Sequence, residues 1–147
     1  MLGKLARWLR VLGFDTAYFH HIEDRELLAR AAAEDRVVLT RDRAMAHGAG
    51  GGTVLLVRSD ELEEQLQQVV GELALRIERD RLFSRCIECG GPIERLPAGE
   101  AADRVPDYVR ETQTSFSTCP NCNKIYWNST HVSAMLERLE KMGILPE

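Results

Sequence analysis

Two closely spaced cysteine pairs constrain the fold of this 147-residue chain more than any other feature of its sequence. The pairs have the form Cys-x-x-Cys and are Cys86 with Cys89 and Cys119 with Cys122. Each pair can present two thiolates to one ion from a tight turn, with Gly90 and Gly91 or Pro120 forming the bend. Four thiolates suit tetrahedral zinc and leave no open coordination position. The spacing therefore predicts a structural zinc ion in a C-terminal zinc ribbon.

The alternative for these cysteines is a pair of disulfides, and the cellular compartment bears on the choice. Lys4, Arg7 and Arg10 interrupt the apolar positions at the start of the chain, which therefore lacks the apolar stretch of a signal peptide. No run approaches the roughly 18 apolar residues that span a bilayer. We therefore expect a cytoplasmic protein without a membrane partner. In that reducing compartment cysteines hold metal more often than they form disulfides.

Upstream of the cysteines, helical and strand patterns alternate. Strands are predicted at "TAYF" (16–19), "VVLT" (37–40) and "TVLLV" (53–57), and helices at "MLGKLARWLRVLGF", "EDRELLARAAAED", "RDRAMAH" and "SDELEEQLQQVVGELALRIER". The first helix is expected to stop near Gly13. This alternation predicts an α/β fold with a parallel sheet flanked by helices. The sequence changes character after residue 82, so we place a domain over 1–82 and the zinc ribbon over 83–147.

Acidic residues follow each of the three predicted strands. Glu23, Asp24 and Glu26 follow "TAYF", Asp42 follows "VVLT", and Asp60 follows "TVLLVRS". The carboxyl ends of parallel strands meet at one edge of a sheet, so these acids should cluster there, where they repel one another unless a cation joins them. Oxygen ligands suit Mg²⁺ or Mn²⁺, which can activate water. The alternative is that Asp24, Asp42 and Asp60 only cap or open helices.

Candidate RNA contacts come from local basic and aromatic residues, because the net charge of −4 gives no global attraction to nucleic acid. Lys4 and Arg7 share a helix face, and Arg41 and Arg43 flank Asp42. Guanidinium groups suit phosphate, although each of these side chains alone could be an ordinary solvated charge.

Three further candidates follow the second cysteine pair. Tyr126 and Trp127 could stack on bases, and His131 could face the substrate. The alternatives are that Tyr126 or Trp127 packs the core of the ribbon, and that His131 replaces a cysteine as a metal ligand.

Several segments together resemble the Mut-seven C-terminal RNase domain, a PIN-like nuclease fold fused to a zinc ribbon. They are "MLGKLARWLRVLGFDT", "DRELLARAAAEDRVVLTRDR", "FSRCIECGGPIE", "DRVPDYVRET" and "CPNCNKIYWNSTH". The resemblance covers nearly the whole chain and implies a metal-dependent ribonuclease, a hydrolase whose acidic positions coincide with Asp24 or Glu26 and with Asp42. It also implies a hydrophobic strand ending in an aspartate before the first helix. Because the sequence starts at Met1, either its start lies too far downstream or this protein has lost the strand and its aspartate. For the sequence as it stands, we expect both to be missing and activity to be impaired.

These observations predict a PIN-like ribonuclease in which Mg²⁺ or Mn²⁺ polarises a water that attacks an RNA phosphodiester. The catalytic acids would be Asp24, Glu26, Asp42 and Asp60, and the RNA contacts Lys4, Arg7, Arg41, Arg43, Trp127 and His131. The alternative function is a non-catalytic RNA-binding or ribosome-associated module with a vestigial acidic site. A third is a zinc-stapled adaptor for a protein partner, which the sequence does not identify.

Overall fold

The computed structural model describes residues 2–48 and 53–145. The chain divides into two compact units. The strand unit comprises Met1–Leu5 and Tyr18–Leu75, and the cysteine unit comprises Ala6–Ala17 and Arg76–Glu147. The cysteine unit is therefore discontinuous in sequence, because it includes residues 6–17. The boundary at residue 82 remains a prediction.

The first helix, α1, spans Gly3–Val11 and passes from the strand unit into the cysteine unit. Leu5 and Leu9 are buried, as their helical spacing predicts. The chain leaves the helix at Gly13, which has a φ of 94°. A Cβ atom there would lie 2.5 Å from the carbonyl oxygen of Arg81, so only glycine fits. The predicted helix stop is confirmed.

The strand unit contains a short parallel pair of strands with helices around it. Its elements are α2 (Asp24–Ala33), β1 (Val38–Thr40), α3 (Arg43–Gly48), β2 (Val54–Leu56) and α4 (Leu62–Glu72). β1 pairs in parallel with β2, so that Val38 lies opposite Val54 and Thr40 opposite Leu56. Ala31 of α2, Val38 of β1 and Met45 of α3 form a small buried core. The parallel pairing of "VVLT" and "TVLLV" is therefore confirmed.

The predicted strand at "TAYF" is wrong, because residues 16–19 form no ladder with any described strand. Side-chain contacts compete with strand pairing in this segment. The carbonyl oxygen of Thr16 accepts a hydrogen bond of 2.9 Å from Arg10 Nε, and its hydroxyl donates to the carbonyl oxygen of Phe14. The guanidinium carbon of Arg30 lies over the ring of Phe19, 5.0 Å from the centroid of that ring.

The last helix of the strand unit is shorter than its apolar pattern predicted. α4 ends at Glu72, and the pattern that continued to Ile77 does not extend the helix. Ala74 takes a φ of 50°, and the N–H of Leu75 donates to the carbonyl oxygen of Val70. Such a left-handed residue closes a helix by satisfying its last carbonyl groups.

The cysteine unit contains an antiparallel three-stranded sheet of order β3-β4-β5. Its elements are a 3-10 turn (Arg79–Arg81), β3 (Glu94–Leu96), α5 (Ala98–Ala101), α6 (Asp107–Thr112), β4 (Phe116–Thr118), β5 (Ile125–Trp127) and α7 (Thr130–Lys141). Leu96, Ala101, Val109 and Phe116 form its buried cluster. The fold is mixed α/β, as predicted. No helix among the described residues is long and apolar enough to span a membrane.

Candidate functional site

The sulfur atoms of the four cysteines converge at one point of the cysteine unit, all within 4.8 Å of one another. Cys86 Sγ lies 3.5 Å from Cys122 Sγ, and Cys89 Sγ lies 3.4 Å from Cys119 Sγ. A tetrahedral zinc ion with Zn–S bonds of about 2.3 Å separates its sulfur ligands by about 3.8 Å. All four thiols are free. This geometry and donor set can hold a structural metal such as zinc after a small relaxation.

The two cysteine turns, residues 86–91 and 119–124, have the same backbone structure. In each, the first cysteine (Cys86 or Cys119) donates its N–H to the carbonyl group five residues later. Its own carbonyl group accepts from the N–H four residues later, and all four bonds measure 2.8 to 3.0 Å. The residue four positions after the first cysteine has a positive φ, 83° at Gly90 and 62° at Asn123. Glycine and asparagine are residue types that adopt this conformation.

Tyr126 contacts the first cysteine turn through its hydroxyl group. The hydroxyl oxygen lies 3.0 Å from Cys86 Sγ and accepts the N–H of Ile87 at 3.2 Å. Burial, together with the hydrogen bond to Cys86, raises the pKa of Tyr126, so the hydroxyl stays protonated and can donate to sulfur. The sequence had suggested base stacking or core packing for this residue. Nothing in the sequence around Tyr126, which follows the second cysteine pair, indicated that its side chain would contact the first pair.

The thiol pKa values differ across the cluster. Burial alone would raise the pKa of Cys86, but hydrogen bonds from Tyr126 and the backbone N–H of Cys89 bring it down to about 6. A backbone hydrogen bond from Gly91 favours the Cys89 thiolate, yet burial and the neighbouring sulfurs outweigh it and raise the pKa of Cys89 to about 12. The pKa of Cys122 is also raised: the Lys124 N–H favours its thiolate, but Cys86, burial and Cys119 together outweigh that hydrogen bond. Four thiolates therefore need a cation to coexist here.

Glu88, inside the first cysteine turn, joins two basic residues of the cysteine unit. It accepts from Lys124 Nζ at 3.1 Å and from Arg7 Nη2 at 3.3 Å. The hydrogen bond and charge of Lys124, followed by the charge of Arg7, lower the pKa of Glu88. Arg7, predicted to contact RNA, is thus an exposed residue paired with a carboxylate.

In the strand unit, Asp42 caps α3. Its Oδ1 accepts the N–H groups of Ala44 at 2.9 Å and Met45 at 3.3 Å, and its own N–H donates to Thr40 Oγ1 at 3.0 Å. The interpretation of Asp42 as a residue that opens a helix is therefore confirmed. This cap uses Oδ1 only, and Asp42 is exposed.

The other predicted acids are exposed at the starts of helices. Asp24 is the first residue of α2, and Glu26 pairs with Arg30 Nε at 3.4 Å. The alternative that Asp24 and Asp60 cap helices is wrong, because the N-cap positions belong to Glu23 and Glu61, neither of which makes a side-chain cap. Within the described residues, these acids do not form a group of three with converging oxygens; only the cysteines converge in this way.

The basic candidates of the strand unit differ in burial. Lys4 is exposed on α1, and Arg43 is exposed as the first residue of α3. Arg41, directly after β1, is partly buried, and its Nη1 atom is buried without a hydrogen-bond partner among the described residues. A buried guanidinium nitrogen without a partner costs free energy that a bound anion would offset.

The two remaining candidates lie in the cysteine unit. Trp127 is partly buried and packs against the cluster that contains Leu96 and Phe116, as the alternative interpretation allowed. His131 is exposed in the first turn of α7. It is not among the converging ligands, which are the four cysteines.

Residues 1–139 match the family model described as the Mut7-C RNAse domain. No curated protein and no solved structure gives a significant match to this chain.

Proposed function

Because this chain belongs to the Mut7-C RNAse domain family, we propose that it is a metal-dependent ribonuclease, with a PIN-like domain over residues 1–82 and a zinc ribbon over 83–147. The family match over residues 1–139 is the observation that carries the proposal. RNA is accordingly the proposed substrate. Phosphodiester hydrolysis at an acidic site with Mg²⁺ or Mn²⁺ is the proposed chemistry.

The proposed catalytic acids are Asp24, Glu26, Asp42 and Asp60. Support comes from the parallel pairing of β1 with β2, after which the chain reaches Asp42 and Asp60 respectively. Ligand sites of open parallel sheets lie beyond the carboxyl ends of strands. Asp42 retains Oδ2 outside its helix cap, so a carboxylate oxygen of this residue can bind a cation while the cap persists.

Arg41 is the favoured phosphate contact in the proposal. Its buried Nη1 atom has no hydrogen-bond partner in the described part of the chain, and a guanidinium group binds phosphate oxygens in a matching fork geometry. Arg43 and Lys4 are exposed and carry the same charge. In the cysteine unit the proposed RNA contacts are Arg7, Trp127 and His131.

The proposed metal of the four cysteines is a structural zinc ion. It would neutralise thiolates that otherwise repel one another, and much of its binding free energy would stabilise the cysteine unit. Native mass spectrometry should find one zinc ion per wild-type chain and less in Cys119→Ser. A reduced wild-type chain without metal would refute this part of the proposal.

Cleavage is best tested with zinc-loaded protein and a labelled single-stranded RNA, with and without added Mn²⁺ or Mg²⁺. We expect cleavage only when the second metal is added. The requirement for Mn²⁺ or Mg²⁺ is tested by adding these ions to zinc-loaded protein. Treatment with a chelator would not test it, because the chelator would remove the zinc as well. RNA binding measured by fluorescence anisotropy, without cleavage under any metal condition, would favour the non-catalytic RNA-binding module instead.

A further inference from the structure

Arg10 is a buried arginine that binds backbone carbonyl groups of the first cysteine turn. The residue is only 6% exposed. Nη1 donates to the carbonyl oxygen of Ile87 at 2.9 Å and to that of Glu88 at 3.2 Å, while Nε donates to the carbonyl oxygen of Thr16 at 2.9 Å. Ile87 and Glu88 are the two residues between Cys86 and Cys89. The guanidinium group thus holds the segment that separates two of the four thiols.

The peptide groups of Ile87 are held on both sides. Its N–H donates to the hydroxyl of Tyr126, and its carbonyl oxygen accepts from Arg10. Two side chains from distant parts of the sequence therefore fix the residue that follows Cys86. Since a small change in this turn moves the two sulfur atoms relative to each other, these bonds help to set the ligand geometry.

Close packing reinforces this contact. A Cβ atom on Gly90 would lie 2.7 Å from the carbonyl oxygen of Thr16 and 3.0 Å from Arg10 Nε. The N–H of Phe83 also donates to the carbonyl oxygen of Val11 at 2.8 Å. Residues 6–17 therefore contact both the chain that leads into the first cysteine turn and Gly90 within the turn itself.

Burying a guanidinium group against neutral carbonyl groups costs free energy, because three hydrogen bonds only partly replace its hydration. Zinc bound to four thiolates leaves an excess of negative charge beside this turn. That charge would stabilise the buried cation, and the cation would in turn stabilise the metal-bound site.

We propose that Arg10 is a positioning residue of the four-thiolate site, and that metal occupancy and the order of residues 6–17 are coupled. The proposal rests on the zinc site of the proposed function and is independent of RNA cleavage. By thermodynamic reciprocity, a metal that orders this segment must be bound more tightly when the segment is ordered. Arg10 does not touch the metal and acts only through the turn that carries Cys86 and Cys89.

The first test measures how fast the full chain transfers zinc to a chromogenic chelator. We expect Arg10→Met to release zinc about tenfold faster or more, and Arg10→Lys to recover part of the loss by restoring one charged donor. Arg7→Met is the matched control. Arg7 lies one turn earlier on α1 and pairs with the exposed side chain of Glu88, not with the backbone, so its variant should release zinc at the wild-type rate.

A second readout separates positioning from general stability. With Co²⁺ in place of zinc, Arg10→Met should alter the visible absorption bands of the ion, which report ligand geometry, and Arg7→Met should leave them unchanged. A metal-loaded wild type whose Arg10→Met variant shows the wild-type release rate and spectrum would overturn the role of Arg10. A wild-type chain that binds no metal would overturn the zinc site itself.

Coupling is testable without any substitution, by hydrogen exchange on the wild-type chain with and without zinc. We expect metal removal to accelerate exchange of the Gly13 and Phe14 amides, which donate within this segment. Amides of α4 in the strand unit serve as the internal control and should change much less. Equal acceleration in both regions, or none at residues 6–17, would overturn the coupling.

Discussion

The hydroxyl oxygen of Tyr126 lies 3.0 Å from the sulfur of Cys86, although 40 positions separate the two residues in sequence. The same oxygen accepts the N–H of Ile87. One phenol group therefore satisfies a partly buried backbone donor and stabilises the thiolate of a buried cysteine. Its removal should affect metal retention as well as stability.

We expect Tyr126→Phe to lower the free energy of unfolding by about 1 to 3 kcal/mol, because the Ile87 N–H loses its partner. Zinc release should accelerate about tenfold, because the Cys86 thiolate loses a donor. Thermal melting and chelator competition measure the two effects. Tyr108→Phe is the control, since Tyr108 is 68% exposed and should change neither quantity. Equal behaviour of the two variants would contradict the role assigned to Tyr126.

The shared backbone of the cysteine turns gives a second prediction. Gly90→Ala should destabilise the chain by at least ~2 kcal/mol, because φ is positive and the new Cβ would meet the carbonyl oxygen of Thr16. Asn123→Gly, at the equivalent position, should change stability by less than ~0.5 kcal/mol. Denaturant unfolding of the zinc-loaded protein measures both.

A helical glycine provides the control for the alanine substitution. Gly99 lies in α5, and a Cβ there would meet no atom within 4 Å. Gly99→Ala should be neutral or stabilising by up to ~1 kcal/mol. If Gly90→Ala were equally well tolerated, the close approach of residues 6–17 to the first cysteine turn would be wrong.

Substitutions of Asp42 separate its observed cap from its proposed catalytic role. Asparagine caps about as well as aspartate, so Asp42→Asn should retain thermal stability, while Asp42→Ala should lose ~1 kcal/mol. Both should reduce Mn²⁺-dependent RNA cleavage by about 100-fold or more if the carboxylate binds the metal, because even the loss of a residue that only supports a metal ligand costs about 10- to 100-fold. Asp35→Asn, at an exposed residue with a φ of 53°, is the matched control and should retain full cleavage. Full activity in Asp42→Asn would leave Asp42 as a cap alone.

Zinc uptake should release protons. In the metal-free chain at pH 7.5, Cys86 is already ionised because its pKa is about 6, whereas Cys89, with a pKa of about 12, and Cys122, with a raised pKa, are still protonated. At least these last two thiols must lose protons to the metal, so apparent zinc affinity should fall as pH falls. Calorimetry in two buffers of different ionisation enthalpy counts the protons. Release of none would contradict a four-thiolate site.

Local sequence patterns correctly predicted the helices and strands that are determined by their own residues. The leucine spacing of α1 and the left-handed Gly13 define that helix, and the apolar runs of β1 and β2 pair in parallel as expected. "TAYF" has strand composition too. Its carbonyl and ring groups are used by Arg10 and Arg30 instead, and such contacts are not encoded in the segment itself.

The candidate metal site was predictable because the spacing of the two cysteine pairs is typical of a zinc site. The contacts that other residues make with the cysteine turns were not predictable from the sequence. Arg10 falls on the polar positions of the helical wheel and would be expected in solvent, yet it is buried against a turn 77 positions away. Asp42 was placed correctly after its strand, but the sequence left its cap and its proposed metal contact as alternatives. The cap depends on which N–H groups are free at the start of α3.

The discontinuity of the cysteine unit has a consequence for biosynthesis. Residues 6–17 leave the ribosome before the chain that they pack against, which follows residue 76. Val11 and Leu12, fully buried in the folded protein, therefore cannot reach their final packing until that later segment has been synthesised. Contacts this distant in sequence form slowly, because a long loop must close first. Under the proposed coupling, α1 reaches its final state only after the chain beyond residue 76 has been made and metal has bound to its cysteines.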